Sequence, residues 1–200
     1  KGIHYYSINT HLDMVKNEMW IMAGGKGKRL RPFTQKIPKP LLPVDGKPII
    51  ERIILIAKKQ GIRNFVISIN YLGNKIRSYL QNGKKFDVNI KYIKEDKPLG
   101  TAGSLYHYKK TKLPIIVCNA DIISNINYKE MLEYHNKLNS YITIGAISNF
   151  EKNHYGNIIF KNNRVKNIEE KIEKKFFINS GIYVLNPNIK NFFKKKNSYI

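Results

Sequence analysis

Three short stretches carry residue types that could handle phosphate chemistry. The first reads Ala23-Gly24-Gly25-Lys26-Gly27-Lys28-Arg29-Leu30 and follows an apolar run. Closely spaced glycines let backbone N–H groups approach an anion with no Cβ in the way. No Gly-Lys-Ser/Thr closes the loop, so it is not a P-loop, and the third glycine of the dinucleotide fingerprint is missing. By itself the stretch is a weak signal, and a flexible basic turn is the lesser alternative. The second is Pro38-Lys39-Pro40, where the flanking prolines predict a stiff, extended backbone that fixes where the Lys39 ammonium points. The third is Asn119-Ala120-Asp121, which ends the apolar run 115–118. A carboxylate just past a strand is either a ligand for a hard cation or a turn and cap residue.

The elements that must position these residues follow from the apolar pattern. Short apolar runs alternate with helical periodicity, the signature of a mainly parallel sheet covered by helices. Strands are predicted at 19–23, 65–69, 88–93, 115–118 and 141–147, with period-two alternation through Val88, Ile90 and Tyr92. Helices are predicted at 48–60, 74–80, 101–110 and 128–138, the first with Pro48 in its opening turn and Gly61 just past its end. Residues 24–43 form a long glycine-, lysine- and proline-rich loop, a type that in a compact domain is usually functional. From Tyr155 the segments shorten to 158–160, 165–169 and 176–185, an antiparallel or mixed extension of the sheet. Residues 1–17 are poorly patterned and flank the domain.

Composition narrows the classes. A chain of 200 residues fits one α/β domain with a proper core. No apolar run reaches the roughly 18 residues of a membrane span, and no secretory segment opens the chain. Lys1 in place of Met is what a fragment or a trimmed chain is expected to show. Cys118 is the only cysteine, which excludes an internal disulfide, leaves the cytoplasm as the default location, and reads as a small core residue. Lys and Arg number 36 against 14 acidic residues, a net charge of +22. The lysines are spread along the chain beside many Asn, Ile and Tyr residues, all with A/T-rich codons. No basic cluster is interleaved with stacking aromatics, so nucleic acid is not the expected partner, and anionic small molecules are. His4, His11, His107, His135 and His154 show no metal-ligand spacing.

Taken together, the strand, the Gly-Gly-x-Gly-x-Arg-Leu loop and Pro38-Lys39-Pro40 resemble the signature of the sugar-phosphate nucleotidyltransferase family, the nucleotide-sugar pyrophosphorylases. The resemblance continues in order along residues 18–200. Glu95-Asp96-Lys97-Pro98-Leu99-Gly100-Thr101-Ala102-Gly103 looks like the family's nucleotide-base loop, and Asn119-Ala120-Asp121 like its metal-aspartate motif, with Ala120 for the usual glycine. Tyr155-Gly156 matches its sugar contact. Glu169-Glu170-Lys171 matches its Glu-Lys-Pro segment, with Ile172 for the proline, and Asn179-Ser180-Gly181-Ile182-Tyr183 its Asn-x-Gly-x-Tyr segment.

The resemblance implies a Rossmann-like, three-layer α/β fold with an antiparallel extension. It also implies transfer of a nucleotidyl group from a nucleoside triphosphate to a sugar 1-phosphate, with Mg²⁺ as cofactor. The attacking phosphate oxygen is already ionised at neutral pH, so the task is to bring two polyanions together by positioning and charge neutralisation. On this reading Arg29 meets the triphosphate and departing pyrophosphate, Lys39 the sugar's phosphate, and Asp121 the metal. Ala23, Gly24, Gly25, Gly27, Lys28, Arg29, Glu95, Pro98, Gly100 and Thr101 bind the nucleotide. Tyr155, Gly156, Glu170, Lys171 and Asn179 bind the sugar. The family's second metal aspartate sits in a Trp-Leu-Asp-like segment, but Trp20 is the only tryptophan here, which implies a catalytic domain continuing past residue 200.

The base loop resembles that of the guanylyltransferases. Gly2-Ile3-His4-Tyr5-Tyr6-Ser7-Ile8 resembles the end of a CBS domain, as found upstream of the glucosamine-1-phosphate guanylyltransferases of legionaminic acid biosynthesis. GTP and glucosamine 1-phosphate are therefore the expected substrates, with mannose or heptose 1-phosphate as the alternative. The partners are small molecules; no membrane contact is expected, and a homo-oligomer is left open.

Overall fold

A computed structural model describes residues 15–95, 105, 112–152, 155–170 and 173–189. The elements run β1 (Val15–Met22), β2 (Pro43–Val44), β3 (Lys47–Pro48), α1 (Ile49–Lys59), β4 (Ile62–Ile69), α2 (Gly73–Leu80), β5 (Asn89–Lys94), β6 (Ile115–Asn119), α3 (Tyr128–Lys137), β7 (Ile142–Lys152), β8 (Asn157–Lys161), β9 (Arg164–Glu169) and β10 (Glu173–Leu185). The chain divides into two compact units, one of residues 1–143 with 182–200, the other Ile144–Gly181.

The main sheet has strand order β5-β4-β1-β6-β10-β7. β1 runs parallel to β4 and β6, and β4 parallel to β5, whereas β10 is antiparallel to β6. Successive residues of a strand face opposite sides, and β1 shows it. Met19 and Ile21 join one buried cluster with residues of α1, α2 and α3, while Trp20 joins another with Val66, Val117, Leu105 and Ile189. Both faces of β1 are thus buried along residues 19–21, which is why its second half reads as a continuous apolar run. α1 presents Ile50, Ile53, Ile54 and Ala57 to the core at helical spacing. Burying an isoleucine fully contributes about 2 kcal/mol. The helix stops at Gly61, whose φ of 89° is left-handed and suits glycine.

Expected elements recur with shifted ends. The first strand begins earlier and ends at Met22, so Ala23 opens the loop, and Pro48 caps α1 from just outside its first turn. Val88 is buried but precedes β5. The expected helix at 101–110 lies outside the described residues apart from Leu105. The 24–43 loop is more structured than expected, with short 3-10 turns at Lys28–Leu30, Phe33–Gln35 and Lys39–Leu41. Pro38 is extended, but Lys39 already opens such a turn, closed by Leu42 N–H donating to the Lys39 carbonyl at 3.1 Å. The stiff, extended backbone expected at Lys39 is therefore corrected: only Pro38 is extended, because the turn's own hydrogen bond outweighs the bias a following proline imposes.

In the second unit β8 and β9 pair antiparallel, joined through Asn162 and Asn163, both with positive φ. Asparagine tolerates this region, and two such residues suit a tight hairpin. Of the extension of the sheet expected after Tyr155, β10 joins the main sheet antiparallel to β6, whereas β8 and β9 form a two-stranded sheet of their own. Among the described residues no helix is long and apolar enough to cross a membrane.

Candidate active site

Strand register builds the site. Met22 of β1 lies beside Ser68 of β4 and Asn119 of β6, and Ile69 beside Lys94 of β5. The chain therefore leaves the parallel strands at one level. Backbone hydrogen bonds extend the ladders there: Ala23 N–H to Ser68 O (2.9 Å), Ala120 N–H to Met22 O (3.1 Å) and Glu95 N–H to Ile69 O (3.0 Å). The carboxyl edge of a parallel sheet is where such folds bind ligands.

A cavity of about 520 Å³ opens at this edge, lined by Met22, Ala23, Gly24, Gly25, Gly27, Lys28, Arg29, Leu30, Lys39, Pro40, Glu95, Asn119, Ala120 and Asp121. All the expected nucleotide-contacting residues of the glycine loop are among them. Gly27 has φ 59°, and a Cβ there would stand 3.0 Å from Thr34 Cγ2 and 3.3 Å from Lys39 Cβ. Both the conformation and the space call for glycine. A Cβ on Gly24 would meet Asn70 Cβ and Glu95 Oε2 at 3.3 Å each, whereas one on Gly25 would meet nothing within 4 Å. Lys28 and Arg29 sit in the following turn and are exposed.

The Lys39 ammonium pairs with Asp121 Oδ2 across the cavity. Ala120, in place of the family's glycine, is buried and joins the core, leaving the neighbouring carboxylate half-exposed. The segment beyond Asp121 is braced by Gln60, whose side chain donates to Ile126 O (3.0 Å) and accepts from Tyr128 N–H (2.7 Å). Glu95 is buried; Ser68 Oγ donates to its Oε1, and Asn70 Nδ2 donates to its backbone carbonyl at 2.6 Å. Beneath the site, burial pushes the Cys118 thiol up to about 12, with a smaller contribution from the Asp121 charge, so the cysteine is an inert core residue there.

Two further residues, Ser68 and Thr34, support the site without a sequence motif to mark them. Each is a buried hydroxyl bonded to a residue lining the cavity. Ser68's place in a strand facing Glu95 leaves no local sequence signal.

Of the expected sugar-contacting residues, Tyr155, Gly156, Glu170 and Asn179 belong to the second unit and are described there. Tyr155 is exposed, and a Cβ on Gly156 would stand 3.2 Å from Ile168 Cγ2 and 3.8 Å from Glu170 Cγ. Asn179 Oδ1 accepts from Gly181 N–H at 2.9 Å, holding Gly181 at φ 71°. Lys171, Pro98, Gly100 and Thr101 lie outside the described residues.

Among the described residues no group of three or more His, Cys, Asp or Glu side chains could hold a metal. Asp121, the more exposed of the two carboxylates that line the cavity, nevertheless suits Mg²⁺, which commonly takes one or two protein carboxylates and completes its shell with water and phosphate oxygens.

A mainly parallel sheet with a glycine loop, cations and two carboxylates gathered at its carboxyl edge defines an α/β protein with a candidate ligand site there. Residues 19–199 match the family described as Nucleotidyl transferase, and the chain belongs to it. It is 36% identical over 179 residues to a mannose-1-phosphate guanyltransferase of Yarrowia lipolytica, covering 84% of this chain and 49% of that protein. A D-glycero-alpha-D-manno-heptose 1-phosphate guanylyltransferase of Aneurinibacillus thermoaerophilus is 32% identical over 175 residues, covering 86% and 76%. The crystal structure of HddC from Yersinia pseudotuberculosis complexed with GMP-PN superposes with a TM-score of 0.66 at 28% identity, covering 86% of this chain and 77% of that one. The chain spans about half the length of the mannose-1-phosphate guanyltransferases it matches.

Proposed function

We propose that the protein is a guanylyltransferase for a manno-configured sugar 1-phosphate, mannose or a manno-heptose. The observation that carries the reading is the cavity that gathers the glycine loop, Arg29, Lys39 and Asp121 at one sheet edge. A phosphate oxygen of the sugar attacks the α-phosphorus of GTP; the bond to the β-phosphate oxygen breaks and pyrophosphate leaves. Glycine-loop N–H groups and Arg29 hold the triphosphate, Arg29 stabilises the departing pyrophosphate, and Lys39 orients the incoming phosphate. Asp121 would hold Mg²⁺, which when bound supplies further charge neutralisation on the phosphates. Tyr155, Gly156, Glu170 and Asn179 would serve the sugar.

Guanine is supported by the guanylyltransferase relatives and by Glu95. A carboxylate with one oxygen already held by Ser68 keeps the other as an acceptor, suited to guanine's adjacent N1–H and N2 amino donors. The relatives act on mannose and manno-heptose phosphates, which favours those sugars over the glucosamine 1-phosphate expected from the chain's first residues.

The test is pyrophosphate release by the full-length protein with Mg²⁺, each of four nucleoside triphosphates, and mannose, manno-heptose or glucosamine 1-phosphate. Turnover confined to GTP with a manno sugar is expected. No turnover with any pair overturns the enzyme reading.

A further inference from the structure

We propose that Thr34 is a positioning residue that sets the phosphate-binding loop through Gly27; the proposal rests on the guanylyltransferase reading above. Thr34 is almost wholly buried at 1% exposure, although it lies in the polar loop between the glycine run and Pro38. Both ends of its side chain are committed to Gly27. Its hydroxyl donates to the Gly27 carbonyl at 2.9 Å, and its Cγ2 stands 3.0 Å from where a Gly27 Cβ would be. The hydroxyl fixes the carbonyl, and the methyl group fills the space that the missing side chain leaves.

This contact bears on phosphate binding for two reasons. Gly27 is left-handed and leads directly into the turn that carries Lys28 and Arg29, so its dihedral angles decide where both cations stand. Its carbonyl also accepts from Leu30 N–H at 3.0 Å. A carbonyl oxygen satisfied by two donors repels an adjacent phosphate less than a bare one. The bend also touches the other cation: Lys39 Cβ stands 3.3 Å from the same Gly27 Cβ position. Thr34 from one side and Tyr71 and Lys75 from the other hold the segment, since Tyr71 Oη donates to Gln35 O at 3.1 Å and Lys75 Nζ to Lys36 O at 2.7 Å.

The hydroxyl and the shape can be separated. Thr34→Val keeps the shape and loses the donor, Thr34→Ser keeps the donor, and Thr34→Ala loses both. Two readouts are taken: the GTP dissociation constant by calorimetry, and amide hydrogen exchange at Leu30 and Arg31 in the ligand-free protein. Thr34→Val should weaken GTP about tenfold, the scale of one buried hydrogen bond together with a loosened loop, and speed exchange at both amides. Thr34→Ser should stay within about twofold of wild type in both. Should Thr34→Val not fold, Thr34→Ala against Thr34→Ser gives the same contrast. Unchanged GTP affinity in a folded Val or Ala variant, equal losses in Ser and Val, or unchanged exchange overturns the proposal. Failure of the wild type itself to bind GTP would instead sink the guanylyltransferase reading, while the exchange data still decide whether Thr34 holds the bend.

Discussion

The ammonium of Lys39 and the carboxylate of Asp121 meet across the cavity although 82 residues separate them in the chain. Each is about one-third exposed, at 33% and 35%, so the pair belongs to the wet edge of the site. Such pairs stabilise a fold by at most about 1 kcal/mol. Their removal therefore reports on chemistry more than on folding.

Asp121→Asn keeps the shape and removes the charge that would anchor a metal. Loss of one such electrostatic contact costs roughly 3 kcal/mol at the transition state, so kcat should fall about a hundredfold. The melting temperature should stay within a few degrees. Near-native kcat in a folded variant would make Asp121 a turn residue only.

Lys39→Ala should act differently, raising the KM for the sugar 1-phosphate with a smaller loss of kcat. Steady-state kinetics with each substrate varied in turn separates the two effects. An increase confined to the KM for GTP would assign Lys39 to the triphosphate instead.

Glu95→Gln tests the nucleotide choice. Inosine lacks the N2 amino group, so the wild type should prefer GTP over ITP by roughly tenfold or more, the scale of a charge-assisted hydrogen bond. In Glu95→Gln that preference should shrink severalfold, because a neutral amide is a weaker acceptor. A GTP-to-ITP ratio equal in the two proteins would remove Glu95 from base recognition.

His135 makes stability depend on pH. Its Nδ1 faces Thr143 Oγ1 at 2.8 Å, while Nε2 is buried with no partner among the described residues. Burial lowers its pKa below the ordinary 6.5, so the unfolded chain binds the proton more readily than the fold. The stability this contributes is present above pH 6.5 and is lost as pH falls through 6.5 toward the lowered folded value. Melting at pH 7.5 and 5.5 should show a larger drop for the wild type than for His135→Leu. Equal drops would mean that this imidazole is not held neutral.

Much of the molecule is legible in its sequence. Short apolar stretches mark the buried parts of β1, β4 and β6 because strand segments covered on both faces do not alternate, and Pro48 and Gly61 bracket α1 because proline's φ is fixed and glycine alone enters the left-handed region freely. The glycine loop and Asp121 announced phosphate chemistry through residue type alone. Periodicity tells which face of an element is buried but not which element covers it. That Lys39 meets Asp121, that Ser68 steadies Glu95, and that Thr34 closes against Gly27 depend on the order β5-β4-β1-β6 and on how a loop folds back, both set by long-range register. The same limit explains His135: its position in a helix was readable, but the burial that lowers its pKa arises only when α3 packs into the core.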